Sequence, residues 1–255
     1  MSNSSETTAR PRYSIVVPCF NEQDCIGPLV DEIVDAIGDD PNFELIIVDD
    51  GSSDQTVARL VAAREKMSVE FKLVVHGENS GQSAAMCTGI DVARGQWIAT
   101  LDGDGQNDPR DIPKLIAELD KYLVAYPSVD TAPIICGHRK RRNDSWVKRW
   151  SSKFANAVRS RLLSDATPDT GCGLKLMSRQ SFMRLPRFDH MHRFLPALMQ
   201  REGASAISIE VGHRARAAGY SKYGINNRLW VGIIDLIGVI WLRRRRLRLT
   251  NWKEM

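Results

Sequence analysis

The sequence predicts an α/β protein with a mainly parallel central sheet, helices on its faces and an amphipathic helical appendage at the C-terminal end. Three observations predict it. Short Val/Ile/Leu runs recur without alternation, as in strands covered on both faces. Segments of helical periodicity separate them. Each predicted strand of the first half runs directly into acids, glycines and amides, and parallel sheets bind ligands at the carboxyl ends of their strands.

In chain order, "YSIVVP" (Tyr13–Pro18) is the first predicted strand and "CIGPLVDEIVDAI" the first helix. "FELIIVD" (Phe43–Asp49) is a strand, followed by the helix "SDQTVARLVAAREK" with Asp54 as its N-cap. "FKLVVH" (Phe71–His76), the helix "SAAMCTGIDVA", the strand "QWIATLD" and the helix "DIPKLIAELDKYLVAY" follow. In the second half "PIICG" reads as a fifth strand, "SWVKRWSSKFANAVRSRLL" (Ser145–Leu163) as a basic amphipathic helix and "SDATPDTGCG" as a loop. "LKLMS", a helical stretch near "HRFLPALMQR" and the strand-like "AISIEVGH" complete it. Without a clear linker or repeat, the boundaries are a disordered lead-in (1–12), one domain (13–224) and a C-terminal helix with a basic tail (225–255).

The 255 residues are 43% hydrophobic and 26% charged, enough to bury a core. The net charge of +4 hides an asymmetry. Nine Lys/Arg and the single acid Asp144 lie between Arg139 and Arg161, and five arginines between Arg243 and Arg248, whereas most acids lie in the first 120 residues. The N-terminal half suits a metal or polar ligand, the C-terminal half something anionic. Five cysteines without metal-ligand spacing read as reduced, mostly buried thiols of a cytosolic protein. "MSNSSETTARPR" has no apolar h-region and does not read as a signal peptide. "LWVGIIDLIGVIWL" (Leu229–Leu242) is 14 residues long, contains Asp235 and runs into "RRRRLRL". It falls short of the roughly 20 apolar residues of a spanning helix and suits the surface of a membrane.

The strand ends carry the chemistry. In "TLDGDGQNDP", Asp102 and Asp104 stand two residues apart. Paired carboxylates with Gln106 as a neutral oxygen ligand suit a hard divalent cation, Mg2+ or Mn2+, and Gly103 and Gly105 leave room for a ligand at the backbone. Asp49 or Asp50 could bind a nucleobase or ribose, whereas Ser52, Ser53 and Asp54 suit capping. No GxGxxG follows the first strand, and "GENSGQS" lacks the P-loop pattern, which leaves phosphate to metal and arginine.

In this order "VVPCFNE", "IIVDDGSSDQT", "NSGQSAAMCTGI" and "TLDGDGQNDP" resemble glycosyltransferase family 2. "GHRKRRNDSWVKR", "DTGCGLKLMSR" and "HRARAAGYSKYG" resemble its dolichyl-phosphate mannose synthase-like branch, with the bacterial polyprenyl-phosphate sugar transferases. The resemblance spans Tyr13 to Gly224. It implies a GT-A fold, a nucleotide-sugar donor (GDP-mannose or a UDP-sugar), a polyprenyl phosphate acceptor and inversion at the anomeric carbon. It puts Pro18, Phe20, Glu22, Asp49, Asp50, Asp102 and Gly103 in the donor site and Asp102, Asp104 and Gln106 on the metal. Asp104, Arg139 and Asp169 become the catalytic candidates, and Arg139, Arg216, Ser221 and Lys222 the acceptor-phosphate candidates. None of the five histidines receives a catalytic role. It also implies a peripheral enzyme on the cytoplasmic face of the cell membrane, with room for a small membrane-protein partner. Gly103 stands where alanine or leucine is commoner, and the tandem membrane helices of some relatives are missing from this sequence. A second reading moves the sugar to a glycan or lipid hydroxyl, which needs a carboxylate base. A nucleic-acid-binding protein leaves the acidic strand ends unexplained and lacks interleaved aromatics. A non-catalytic membrane scaffold is a further alternative, opposed by metal-dependent nucleotide-sugar binding.

Overall fold

The computed structural model describes residues 10–38, 40–66, 71–127, 131–139, 163, 167–215 and 225–245, with side chains omitted for 225–230. Its centre is β1 (Tyr13–Cys19), buried along its whole length. Successive residues of a strand face opposite sides. Accordingly Ile15 and Val17 pack in one apolar cluster and Val16 in the other. β2 (Phe43–Asp49) lies parallel to β1 in the register Ile15↔Leu45 and divides its residues the same way. Burial on both sides is why neither strand alternates in sequence.

With β3 (Lys72–Val75), β4 (Trp97–Thr100), β5 (Ile134–Arg139), β6 (Lys175–Ser178) and β7 (Ala206–Val211) they form one sheet, ordered β3-β2-β1-β4-β6-β5-β7. All described pairings are parallel except those of β6, which is antiparallel to β4 and β5. Its reversed direction matters for the site. Lys175, the first residue of β6, pairs with Thr100, the last of β4. The segment before β6 therefore reaches the same rim as the segments after the parallel strands.

α1 (Ile26–Ile37), α2 (Thr56–Lys66) and α4 (Ile112–Ala125) cover one face through Leu29, Ile33, Leu60, Leu115 and Leu119. Asp54 accepts from the Thr56 N–H at 2.9 Å and caps α2, as its position predicts. α3 (Gln82–Val92), α5 (Arg179–Met183) and α6 (Leu195–Arg201) cover the other face. A 3-10 turn, Met191–Arg193, precedes α6.

α7 (Ile225–Arg244) packs there too, with Val239 buried and Leu236 and Ile240 half-buried. His190 Nδ1 lies 3.1 Å from Asp235 Oδ2, and Arg201 Nε donates to the Leu242 carbonyl. The opposite side of α7 exposes Ile234, Ile237 and Trp241 at 67, 62 and 58%. Among the described residues no helix is long and apolar enough to cross a membrane. All five cysteines are buried and unpaired with one another. The predicted basic helix 145–163, apart from buried Leu163, lies outside the described residues.

Candidate active site

The first two strand ends are stitched together. Asn21, at φ 51°, receives a bond from the Ser53 N–H at 2.8 Å, and its own N–H donates to Ser52 Oγ at 2.8 Å. The Glu22 N–H donates to Thr56 Oγ1 and the Gln23 N–H to Asp54. Phe20 and Glu22 thus stand on a turn fixed against the end of β2, and Pro18 precedes it within β1, paired with Val48.

Asp49 and Asp50 serve differently. Asp50 is buried and accepts from Asn79 Nδ2 (2.9 Å), the Ser80 N–H (3.0 Å) and the Gly81 N–H (2.8 Å), with His76 Nδ1 at 2.8 Å. It ties the loop before α3 to β2. Asp49 is fully buried, accepts from the Ser52 N–H through Oδ2 and leaves Oδ1 without a partner. Asp50→Ala strands those donors, and we expect it to lower stability by about 2–4 kcal/mol in denaturant titration. A loss below about 1 kcal/mol would mean that the loop holds its shape without it.

Asp102 is half-buried at the end of β4 and accepts from Gln82 Nε2, at the start of α3, at 2.8 Å. Burial, then the charge of Asp104, pushes its pKa up to about 6, against the pull of Lys175 and Arg139. Gly173, in the segment before β6, lies so near that a Cβ there would collide with the Asp102 carboxylate. Gly103 is explained differently from the sequence reading. The space of its missing side chain is filled by Cys19 Cβ and Pro18 O, 2.7 and 2.9 Å from an ideal Cβ, so the glycine serves packing against β1. Asp104 accepts from the Gln106 N–H at 3.1 Å. The two aspartates and Gln106 share one turn. Among the described residues no group of three or more His, Cys, Asp or Glu could hold a metal. Two carboxylates under mutual repulsion and an amide oxygen form a hard donor set, one that suits a magnesium-type ion completing its shell with phosphate oxygens and water.

Across β6 stands Arg139, at the end of β5. Its Nε and Nη2 donate to Asp169 Oδ2 and Oδ1 at 2.6 and 2.8 Å, and both side chains are about nine-tenths buried, 11% and 7% exposed. The two catalytic candidates on this side are thus partners. A side-on pair of this kind occupies two of the five guanidinium N–H groups and aims the rest.

Residues 14–185 match the family model described as glycosyl transferase family 2. The chain belongs to that family. It is 38% identical over 92% of its length to a dodecaprenyl-phosphate galacturonate synthase of Rhizobium johnstonii, of which it covers 68%. It is 33% identical over 84% of its length to an undecaprenyl-phosphate 4-deoxy-4-formamido-L-arabinose transferase of Sodalis glossinidius, covering 63% of that protein. The chain thus spans about two thirds of the length of these relatives. Its fold is that of glucosyl-3-phosphoglycerate synthase from Mycobacterium tuberculosis, solved with Mn2+, uridine diphosphate and phosphoglyceric acid. The TM-score is 0.66 at 17% identity, over 94% of this chain and 80% of that one.

In this glycosyltransferase several site residues escaped sequence reasoning. Lys175 is buried at the start of β6, donates to the Cys172 carbonyl and acts electrostatically on Asp102. In "LKLMS" nothing local marked it. Arg214 braces the turn that carries Asp104 and Gln106. Its N–H donates to the Gln106 carbonyl at 2.9 Å, and its guanidinium pairs with Glu32 at 2.6 Å and Asp108 at 3.0 Å. The signal available was "HRAR", read only for its later arginine. Arg216, Ser221 and Lys222 lie outside the described residues, as do Lys140, Arg141, Arg142, Lys148 and Arg149.

Proposed function

We propose that this family 2 glycosyltransferase moves a sugar, with inversion, from a nucleotide-sugar donor to a polyprenyl phosphate at the inner face of the cell membrane. One observation carries the choice of acceptor. Asp169, the carboxylate beside Arg139, has both oxygens on the guanidinium and is spent on orientation. A hydroxyl acceptor needs a carboxylate base; a phosphate monoester, with a second pKa of about 6, is anionic at neutral pH and needs only positioning and charge. The names of the relatives support the same acceptor class.

The sheet order supports a path. In this reading the nucleoside lies against the stitched ends of β1 and β2, the diphosphate at the β4 turn and the acceptor phosphate at Arg139 on β5. Asp102, Asp104 and Gln106 would hold a divalent ion, which supplies charge neutralisation to the departing diphosphate. Asp169 holds the Arg139 fork so that its remaining N–H groups meet the incoming phosphate. The acceptor oxygen forms the new bond to the anomeric carbon as the bond to the nucleoside diphosphate breaks, and the electron pair leaves with the diphosphate.

Metal binds the carboxylate form of Asp102, so protonation competes with it. We expect affinity for magnesium and nucleotide together to fall as pH drops through about 6, approaching tenfold per unit below it. Calorimetry between about pH 5 and pH 7.5 reads this; a flat profile would remove Asp102 from the metal. The acceptor requires a membrane surface, and the exposed side of α7 with the arginines at its end suits it. Ile234→Glu with Ile237→Glu is expected to weaken sedimentation with anionic vesicles by about tenfold or more, because both side chains are exposed and the fold does not need them. Unchanged sedimentation places the contact elsewhere.

The reaction is tested by supplying magnesium or manganese, short-chain polyprenyl phosphate and a panel of radiolabelled nucleotide sugars, and counting label in the organic phase. Lipid-linked label from one donor supports the reading and identifies the sugar. Label on a glycan hydroxyl, or no transfer from any donor with membranes added, overturns it.

A further inference from the structure

His192 stands in the 3-10 turn ahead of α6, against the first turn of α3. Its Nδ1 is 2.8 Å from Ser83 Oγ, and its backbone N–H also lies on that oxygen, at 3.3 Å. Ser83 is 3% exposed and offers one proton. Its oxygen accepts from the backbone N–H and can give the hydroxyl proton to Nδ1. That assignment leaves the ring proton on Nε2. Burial, followed by the nearby charges of Arg193 and Lys175, pushes the pKa of His192 down to about 3, so the ring stays neutral.

A purely structural histidine would be expected to satisfy both nitrogens. Here Nε2 has no hydrogen-bond partner among the described residues. The ring stands close to the site. Gln82, the residue before Ser83, holds Asp102, and Lys175 acts on both Asp102 and His192. In the sheet order, β6 lies between the β4 turn and Arg139 on β5. A sugar passing from diphosphate to acceptor phosphate must lie over the start of β6, where Lys175 stands.

We infer that His192, with its tautomer set by Ser83, donates a hydrogen bond from Nε2 to an oxygen of the transferred sugar and so helps to select the donor. This rests on the nucleotide-sugar half of the reading above and not on its acceptor. A neutral donor suits a hydroxyl oxygen, because it can take part in selection without adding charge beside the diphosphate. Ser83 is a positioning residue, acting through the ring.

The test separates the sugar from the nucleotide. With magnesium present, calorimetry compares each UDP- and GDP-sugar of a panel with UDP and GDP alone. His192→Phe keeps a ring and removes the donor; it is expected to weaken the preferred nucleotide sugar about tenfold and the nucleoside diphosphate less than about twofold. His192→Gln, whose amide nitrogen can reach the place of Nε2, is expected to stay within about threefold of the wild type. In 15N spectra the wild-type ring is a single Nε2–H tautomer, and Ser83→Ala mixes the two. Equal losses for both ligands in His192→Phe, no loss for either, or a mixed tautomer in the wild type overturns the inference. If no nucleotide sugar binds the wild type, the donor reading falls and the inference with it. If one binds and His192→Phe binds it equally well, only the inference falls.

Discussion

Asp104→Ala loses about 10²–10³-fold in kcat for sugar transfer while its unfolding temperature stays near that of the wild type. The size follows from what Asp104 is placed to do. In the proposed reaction negative charge gathers on the departing nucleoside diphosphate, and an ion held by the β4 turn would be the strongest charge available to meet it. Asp104 is half-buried, and its bond to the Gln106 N–H lies within the turn itself. A second signature accompanies the loss. The Asp104 charge is among the causes that raise the pKa of Asp102, second after burial. Without it Asp102 ionises at lower pH, and whatever metal binding remains shifts its acid limb downward. Full activity in the variant would contradict the metal assignment.

The second large effect concerns Arg139 and Asp169. Removing either partner leaves a buried charge alone, and we expect each single alanine variant to lose about 3–5 kcal/mol in denaturant titration. Replacing both, as Arg139→Met with Asp169→Leu, is expected to restore most of that stability and none of the activity. The contrast is informative because stability and function part company. On the proposed reading the pair is kept for aiming the guanidinium, because well-packed apolar residues can hold such a place at least as firmly. If the double variant transferred sugar, Arg139 would have no part in the acceptor site.

Much of the fold was legible in the sequence because β1 and β2 are covered on both sides and announce themselves as unbroken apolar runs. β6 was visible only as the short segment "LKLMS", with neither its strand state nor its direction legible. Four residues carry no mark of orientation, and direction depends on what the chain meets at Thr100 and Cys136. The acids of the site stood out because Asp102 and Asp104 follow an apolar strand. Their supports did not. The Arg139–Asp169 pair joins residues 30 apart, and the bond from Ser83 to His192 spans 109. Such contacts are set by the sheet order and leave no local pattern. Lys175 was missed because a lysine in a short strand ordinarily points to water. Gly103 was misread because a missing side chain does not reveal which neighbour fills its place.

The sealed thiols have a practical side. Burial comes first among the causes that raise the pKa of Cys19, Cys87 and Cys172, and all five sulfurs lie inside the fold. Alkylating dyes react with accessible thiolate, so the native protein is chemically quiet toward them. A single cysteine placed at Val124, 82% exposed on α4, would take a fluorophore on the face away from α7, with no need to strip the natural cysteines first. The wild-type chain thus serves as its own blank for optical experiments on vesicles.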